Sequence, residues 1–399
     1  MKNLEILRLR LRMTKKGGSM NFDLTTEQKM LQDEVRKFAL KELEPVSAEI
    51  DKTGEFPLNS VKKIANLGLM GAVIPEKYGG AGGDFVSLAI AIEEIARVCA
   101  STAVIVAVNN SLCAYPIYNF GNEEQRQRFL PSLCSGEKIG AIGITEPNTG
   151  SDVVSMETTA RLDGNYYILN GAKRFITNGT AGSTFVVFAY TNLELKHKGI
   201  STFIVEKGTP GFSLGKHEDL LGIRATGNCE LIFEDAKVPR ENLLGQEGDG
   251  FKTCMHTLDV SRIDIGAQAV GLAQGAFDSA VKYSKERKAF GQPLCEFEMI
   301  QSMIAEMATH IQAARFLVYS AAFYKDKGLT RFSKESAMAK WFAAETAMLV
   351  TRKAVQIYGG YGYTKDYPVE RYYRDAKIME LYEGTSEIQK IVIARSFLK

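Results

Sequence analysis

The spacing of apolar residues changes twice along the chain and predicts three structural regions. From about residue 23 to residue 133, apolar positions recur three and four residues apart, which is the period of amphipathic helices. Between about residues 139 and 250, short β-branched and aromatic runs alternate with turn residues, as in a β domain. From residue 251 onward the helical spacing returns in long stretches.

The individual elements follow from the same pattern. Residues 89–107 are almost wholly apolar and predict a helix that is buried on most sides. Strands are expected at residues 166–169, 184–190, 200–205 and 230–233. Long helices are expected at residues 263–286, 298–327 and 334–359, and again after residue 384.

These elements predict a mainly α fold with a β middle domain. We expect an N-terminal helical domain (20–138), a β-barrel-like or sandwich middle domain (139–250) and a C-terminal four-helix bundle (251–399). Neither a dinucleotide-binding Gly-x-Gly-x-x-Gly after a strand nor a phosphate-binding P-loop is present in the sequence. A Rossmann unit and P-loop chemistry are therefore not expected.

Composition narrows the class of protein further. A chain of 399 residues with 45% hydrophobic and 24% charged residues is globular in composition. The 49 Lys+Arg and 47 Asp+Glu leave a net charge of +2, so nucleic acid and anionic membranes are not expected partners. The six cysteines are scattered singly, which predicts reduced thiols in a cytoplasmic protein and no metal site. No apolar run was expected to reach the roughly 18 residues of a membrane helix.

Residues 1–19 differ from the rest of the chain. They are basic and end in Lys-Lys-Gly-Gly-Ser, the sequence expected if a ribosome-binding site were translated. We predict that the natural start is Met20 and that residues 1–19 are a non-native or disordered extension. A native basic arm is the alternative, and N-terminal sequencing of natively expressed protein separates the two.

Two segments of the β region carry candidate chemistry. Residues 142–152 end an apolar strand with a polar turn rich in backbone N–H and hydroxyl donors, which suits contact with an anion or a flavin ring. An ordinary Asx or Ser/Thr turn explains the same residues. Residues 173–178 alternate like a strand and would place Phe175 and Thr177 on one face.

A third segment lies near the C-terminus. Tyr382, Glu383 and Gly384 precede a helix whose start is predicted from a capping box of Ser386 and Gln389. The free N–H groups at that start would favour a phosphate. Glu383 lies beside a glycine, where the backbone can approach a ligand closely, although a solvated charge would look the same.

In this order, the three segments resemble the acyl-CoA dehydrogenase family, especially its short-chain, butyryl-CoA type members. The resemblance runs from about residue 22 to residue 399. It includes further motifs at residues 108–112, 222–224, 248–251, 258–262, 286–291, 356–360 and 374–377.

The resemblance implies a homotetramer with FAD bound in a cleft. Thr145 and the neighbouring backbone of Ile142 and Ile144 would contact the flavin pyrimidine edge, Phe175 the ring system and Thr177 the N5 atom. Four further residues would contact the FAD bound to a neighbouring subunit: Arg287, Phe290, Gln356 and Gly360. Thr385 and Glu387 would lie near the pyrophosphate of the cofactor. The substrate positions implied are Ser151, Phe251, Leu258, Asp259, Arg262, Tyr382 and Gly384.

The same resemblance implies a mechanism. Glu383 would remove the α-proton of an acyl-CoA thioester while a hydride leaves Cβ for FAD, and an electron-transferring flavoprotein would collect the electrons. Some branches of the family keep the base on the helix around residues 258–262, but this chain has Ser261 there. Arg262 is expected to support the site electrostatically or to form a structural ion pair.

Two residues depart from the family pattern. Glu298 stands where relatives commonly have Gln, and a carboxylate cannot donate the same hydrogen bond unless it is protonated. Asp264 occupies a position that is usually small or apolar. A buried carboxylate requires a partner, so we expect Asp264 either to pair with Arg262 or to face solvent.

The substrate is expected to be a short, uncharged acyl chain of about four to six carbons, an expectation that rests on the resemblance and on local sequence. Residues 101–112 contain no Arg or Lys to pair with a distal carboxylate, and Ile105, Leu112 and Tyr361 would close the pocket. These side chains would also suit simple core packing. Three rival functions remain at this point: enoyl-CoA reduction at the same site, including in a bifurcating complex; an acyl-CoA oxidase; and a non-catalytic scaffold.

Overall fold

The computed structural model describes residues 23–329 and 331–398, and the predicted start at Met20 and the extension 1–19 lie outside the described residues. Helices come first in the chain. They are α1 (Thr26–Phe38), α2 (Glu44–Thr53), α3 (Leu58–Ala65), α4 (Phe85–Ala96), α5 (Ala100–Ala107), α6 (Tyr115–Phe120) and α7 (Glu123–Cys134), with π-helical turns at Ala39–Leu43 and Val108–Ala114.

The apolar segment predicted as one helix is two helices in the structure. Cys99 has extended backbone angles (φ −149°, ψ 97°) and separates α4 from α5. Helical structure then continues from Ala100 to Phe120, over 21 residues with a mean hydropathy of 1.3. This run is long and apolar enough to cross a membrane, which corrects the expectation that no such run exists. It is wholly buried inside the protein, as a core helix would be.

Strands occupy the middle of the chain and form one sheet. They are β1 (Gly140–Gly143), β2 (Thr159–Asp163), β3 (Tyr166–Ile176), β4 (Thr184–Tyr190), β5 (Ile200–Glu206), β6 (Phe212–His217), β7 (Cys229–Pro239) and β8 (Leu243–Leu244). Their order is β6-β7-β3-β2-β4-β5-β8, with β1 parallel to β4. The prediction for β4 is confirmed, whereas β3 and β7 are longer than predicted because their outer halves carry polar residues.

The last part of the chain is again helical. It contains α8 (Gly250–Glu286), a short hairpin of β9 (Lys288–Ala289) and β10 (Gln292–Pro293), α9 (Glu298–Asp326), α10 (Ser333–Tyr358), α11 (Val369–Lys377) and α12 (Ser386–Leu398). Helix α8 begins at Gly250 rather than at residue 263, so its first turns carry residues that face the site described below.

The main core joins the two helical regions, because α4 packs directly against α8. One close approach is at Gly271, where an added Cβ atom would lie 2.0 Å from the carbonyl oxygen of Glu93. Only glycine permits this spacing of the two backbones. The predicted fold class, helical with a β middle domain, is confirmed, while the predicted domain boundaries stay a prediction.

Candidate functional site

The predicted base lies on a turn with unusual backbone geometry. Glu383 and Gly384 connect the 3₁₀ turn Ile378–Glu380 to α12, and both have positive φ angles, 53° and 91°. A left-handed backbone costs a non-glycine residue roughly 1–2 kcal/mol. The surrounding structure must therefore hold Glu383 in place.

Side chains from three helices hold this turn by its two carbonyl groups. The carbonyl of Glu383 accepts hydrogen bonds from Arg262 Nε (3.3 Å) and Gln389 Nε2 (3.1 Å). The carbonyl of Gly384 accepts from Gln389 Nε2 and from Lys340 Nζ, both at 2.8 Å. Arg262 is on α8, Lys340 on α10 and Gln389 on α12, so the turn is fixed at the meeting point of the helical bundle.

The carboxyl group of Glu383 has few polar partners. The hydroxyl of Ser261 donates a hydrogen bond to its Oε2 atom. Burial raises the pKa of Glu383 to about 7, although Ser261, Lys340 and Arg262 all act to lower it. A carboxylate with a pKa near neutrality is well matched to take a proton from a weak carbon acid.

One face of α8 runs beneath this turn. Ser261 contacts Glu383, and one turn further along Asp264 lies fully buried. Gln268, a turn beyond, accepts a hydrogen bond from the hydroxyl of Tyr382 (2.5 Å) and donates to the carbonyl of Ala100 (2.9 Å). Residues three and four apart share a helix face, which explains why these polar groups form one row.

The expectation for Asp264 was wrong. It neither pairs with Arg262 nor faces solvent: it accepts a hydrogen bond from the hydroxyl of Ser111, and its second oxygen has no partner among the described residues. Burial raises the pKa of Asp264 well above its ordinary value, and nearby Glu383 raises it further. Arg262 instead pairs with Asp259 at 2.7 Å, so the expected ion pair is present, and it also contacts the Glu383–Gly384 turn; its support of the chemistry stays a prediction.

Predicted substrate and cofactor positions meet beside the start of α8. Phe251 and Leu258 pack on the same hydrophobic cluster as Ile142 and Ile144 from the end of β1. This contact brings the β domain against the helix that carries Ser261 and Arg262. Ser151, in the polar turn after β1, is exposed.

The two predicted β segments also meet. The carbonyl of Thr145 accepts a hydrogen bond from the backbone N–H of Arg174 at 2.8 Å. Phe175 has a positive φ of 60° and its side chain is 54% exposed, so a large aromatic ring faces outward. Because β3 ends at Ile176 after a register shift, Thr177 lies beyond the strand and the same-face prediction stays untested.

A second group of predicted residues lies around a separate cavity. Arg287 and Gly360 line a cavity of about 510 Å³, and the guanidinium of Arg287 lies 5.4 Å from the ring centre of Tyr361. Tyr361 is therefore not assigned to the acyl pocket. Gln356 is exposed nearby on α10, and Phe290, at the tip of the β9–β10 hairpin, is 96% exposed.

The start of α12 differs from its prediction. The helix begins at Ser386, so the capping residue is Thr385, whose side chain accepts from the backbone N–H of Ile388 at 3.3 Å. Gln389 does reach back, but to the carbonyls of the preceding turn rather than to a capping N–H. Glu387 is exposed in the first helical turn, where local hydrogen bonds lower the pKa of its carboxyl.

Sequence reasoning missed Lys340 and Gln268, and named Ser261 only as the place where other branches keep their base. A signal existed for Lys340, because it interrupts a row of small apolar residues on α10. Ser261 and Gln268 carry no such signal. Within residues 23–329 and 331–398, no group of three or more His, Cys, Asp or Glu side chains could hold a metal ion.

Comparison with known proteins shows which family the chain belongs to. Three family models match the chain: the acyl-CoA dehydrogenase N-terminal domain at residues 25–137, the middle domain at 141–236 and the C-terminal domain at 248–398. A short-chain specific acyl-CoA dehydrogenase of Clostridium acetobutylicum is 54% identical over 94% of this chain and 99% of that protein. Acryloyl-CoA reductase (NADH) of Anaerotignum propionicum is 51% identical over 95% of this chain and 96% of that protein.

Solved structures give the same answer. Butyryl-CoA dehydrogenase of Megasphaera elsdenii superposes with a TM-score of 0.93 at 46% identity, over 95% of this chain and 100% of that chain. A chain from work on the electron transferring flavoprotein of Acidaminococcus fermentans and flavin-based electron bifurcation gives a TM-score of 0.94 at 50% identity, over 95% and 100%. With all three domains matched and identities near 50%, the chain belongs to the acyl-CoA dehydrogenase family.

Proposed function

We propose that this protein is a FAD-dependent acyl-CoA dehydrogenase that converts a short acyl-CoA to its trans-2-enoyl thioester, with Glu383 as the base. The observation that carries the proposal is the Glu383–Gly384 turn. It presents a carboxyl group whose pKa is raised to about 7 and whose backbone is held from three helices.

The chain's own residues account for the proton transfer. We propose that Glu383 takes the proton from Cα and that its backbone N–H donates to the thioester oxygen as negative charge develops there. Arg262 contributes a buried positive charge beside the turn, although its pairing with Asp259 offsets part of that charge. Tyr382 lies beside Glu383, and its hydroxyl donates a hydrogen bond to Gln268 that fixes the orientation of its ring.

The residues present fit FAD. A flavin needs a flat apolar surface together with hydrogen-bond donors, and the exposed ring of Phe175 lies beside the Thr145 turn and Thr177. We propose that Ile142, Ile144, Thr145, Phe175 and Thr177 hold the flavin ring, and that Thr385 and Glu387 lie near the pyrophosphate. When bound, FAD would accept the hydride that leaves Cβ. We propose Ser151, Phe251, Leu258 and Asp259 as contacts of the CoA thioester.

A homotetramer explains the second group of residues. Phe290 is almost fully exposed at the tip of the hairpin that follows Arg287, and Arg287 and Gly360 line a cavity. An exposed aromatic ring is expected where another chain packs. We propose that these residues and Gln356 contact the FAD of a neighbouring subunit.

Substitution of Arg287 tests the cross-subunit contact. In Arg287→Ala, FAD retention and tetramer content should fall together, and added FAD should restore thermal stability because a ligand that binds only the folded state stabilises it. Lys282→Ala, on the exposed face of α8, is the matched control. Unchanged oligomer size, with the same melting temperature with and without excess FAD, would argue against the contact.

Short, uncharged acyl chains are the proposed substrates. Ile105 and Leu112 are buried in the core cluster against which Tyr382 packs, and residues 101–112 contain no cation. A distal carboxylate would remain unpaired there, and each methylene that does not fit would forfeit about 0.8 kcal/mol. Glu298, which begins α9, has no proposed role.

Two further features belong to this proposal. An electron-transferring flavoprotein is the proposed electron acceptor. The cytoplasmic location predicted from the sequence stays a prediction.

Turnover of the purified holoenzyme tests the function. Straight acyl-CoAs of increasing length, with glutaryl-CoA as the charged comparison, are offered together with an electron-transferring flavoprotein or an artificial dye. The specificity constant should be highest at four to six carbons. A value for glutaryl-CoA or palmitoyl-CoA equal to that for butyryl-CoA would contradict the pocket assignment, and no turnover by a yellow, FAD-loaded protein would contradict the function.

The reverse reaction is the second candidate, and the similarity to acryloyl-CoA reductase favours it. The same base returns the proton to Cα when an enoyl-CoA is reduced, so the geometry suits both directions. Measuring initial rates of butyryl-CoA oxidation and crotonyl-CoA reduction with the native electron-transferring flavoprotein decides which direction predominates. Rapid reoxidation of the reduced flavin by air would instead indicate an oxidase.

A further inference from the structure

Lys340 is a lysine in a place where lysine is rarely found. It lies on α10 with no solvent exposure, among small apolar neighbours on the same helix. A fully buried lysine costs stability unless its ammonium group has a specific partner. Its partner here is the carbonyl oxygen of Gly384, 2.8 Å from Nζ.

The acceptor is the backbone beside the base rather than the base itself. The Glu383 carboxyl group is close enough to interact electrostatically with Lys340, yet its hydrogen bond comes from Ser261. Lys340 therefore restrains the turn without neutralising the carboxyl group in a contact ion pair.

The turn depends on such restraint. Glu383 has a left-handed backbone that its side chain disfavours, and a Cβ atom added at Gly384 would lie 2.6 Å from Gln389 Nε2. The carbonyl of Gly384 accepts hydrogen bonds from two side chains, Gln389 on α12, the helix that follows the turn, and Lys340 on α10. Of these two donors, only Lys340 belongs to a helix other than α12.

We propose that Lys340 is a positioning residue for Glu383: through the Gly384 carbonyl, it holds the turn so that the carboxylate faces the α-carbon of the substrate. This inference rests on the proposed function. A small displacement of a catalytic group lowers the rate steeply, because the reacting atoms must lie within about 3–3.5 Å and in line.

The charges around Lys340 add a pH signature. The charged groups that face Lys340 are Glu383, Arg262, Glu380 and Glu387. Burial lowers the pKa of Lys340 to about 7, although the three carboxylates act to raise it. Lys340 in turn lowers the pKa of Glu383. Removing the ammonium should therefore slow the reaction and move its pH midpoint upward, whereas a purely structural lysine would change neither in a folded enzyme.

The test compares Lys340→Met with Lys334→Met, a lysine of the same helix that is partly exposed and pairs with Glu335. Both holoenzymes are assayed for FAD content, binding of butyryl-CoA, and anaerobic flavin reduction as a function of pH. For Lys340→Met we expect substrate binding within about threefold of the parent and flavin reduction roughly 10–100-fold slower, with a higher pH midpoint. The control should match the parent.

Lys340→Gln separates positioning from folding, because it retains an N–H donor without the charge. It should recover part of the rate while keeping the raised pH midpoint. Parent-like rates and midpoints in both folded variants would overturn the proposal. So would loss of fold or of FAD in both variants, because Lys340 would then be a structural residue only. A FAD-loaded parent that no short acyl-CoA reduces would overturn the proposed function, and this inference with it.

Discussion

Two buried Lys–Glu pairs in this protein have opposite characters. In the β domain, Lys173 Nζ lies 2.7 Å from Glu146 Oε1, and both side chains are almost completely buried. At the end of the helical bundle, Lys340 interacts with Glu383 but donates its hydrogen bond to a carbonyl instead. The first pair joins the turn after β1 to strand β3, and the second includes the proposed base.

The number of donors explains the difference. Glu146 accepts from Lys173 and from the backbone N–H groups of Glu157 and Thr158. Burial alone would raise the pKa of Glu146, but these donors and the lysine charge hold it below its ordinary value. The carboxyl of Glu383 has one hydroxyl donor, and burial prevails, so its pKa rises to about 7.

The number of donors therefore separates these two glutamates: Glu146, with three donors, has a lowered pKa, and Glu383, with one, has a raised pKa. The Glu146 pair joins the turn after β1 to β3, the two segments proposed to hold the flavin ring. The protein thus uses a saturated pair to build the cofactor site and an unsaturated one to supply the base.

Breaking the saturated pair should have the largest effect. Lys173→Met leaves the charge of Glu146 buried without its cation, and removal of one partner of a buried pair typically costs about 3–5 kcal/mol. The free energy of unfolding, from urea denaturation of the holoenzyme, should fall by that amount. Lys207→Met, on the exposed side of the β domain, is the control. Equal stability of the two variants would mean that Glu146 is held by its backbone donors alone.

Removing the base comes next. Glu383→Gln keeps the shape of the side chain but cannot take a proton, so flavin reduction by butyryl-CoA should slow by at least roughly 10²-fold while binding is retained. Stopped-flow absorbance under anaerobic conditions measures the rate. Glu234→Gln, an exposed glutamate of β7, should behave like the parent. A parent-like rate in Glu383→Gln would show that the base is another residue.

Removing the Ser261 hydroxyl, the one donor to the Glu383 carboxyl, should increase the difference in pKa between Glu383 and Glu146. The Ser261 hydroxyl lowers the pKa of Glu383, so Ser261→Ala should raise that pKa above about 7. Because the base must be ionised, the rate should then fall below pH 7 and recover at higher pH. A hydrogen bond to a charged group contributes about 1.5–3 kcal/mol, so the loss on the acid side should be roughly tenfold to 100-fold. An unchanged pH profile of flavin reduction would exclude Ser261 from this role.

Asp264 extends the comparison to a carboxyl that has no cationic partner among the described residues. A carboxyl whose pKa is raised by folding stabilises the protein fully only below its unfolded pKa and loses that contribution as pH rises toward its folded pKa. Asp264→Asn keeps an acceptor for Ser111 and removes the titration. Its stability relative to the parent should therefore increase with pH. A difference in melting temperature that is constant between pH 5 and pH 9 would contradict this.

Most of the fold could be predicted from the sequence, because the period of the apolar residues reports which face of an element is buried. The errors fall where local pattern is uninformative. The first turns of α8 carry polar residues that face the site, so the helix appears in the pattern only from residue 263. The break at Cys99 lies inside an apolar run, where nothing in the sequence marks an end.

Of the site, the sequence by itself determined two family motifs, one that contains Glu383 and Gly384 and another that contains Arg262. Only the tertiary structure showed that Lys340 faces the turn, that Thr385 caps α12 and that Asp264 is buried against Ser111. The physical reason is distance along the chain. Whether a carboxyl group is an ion-pair partner or a base depends on donors that arrive from other helices, and a sequence pattern reports burial but not which donors meet there.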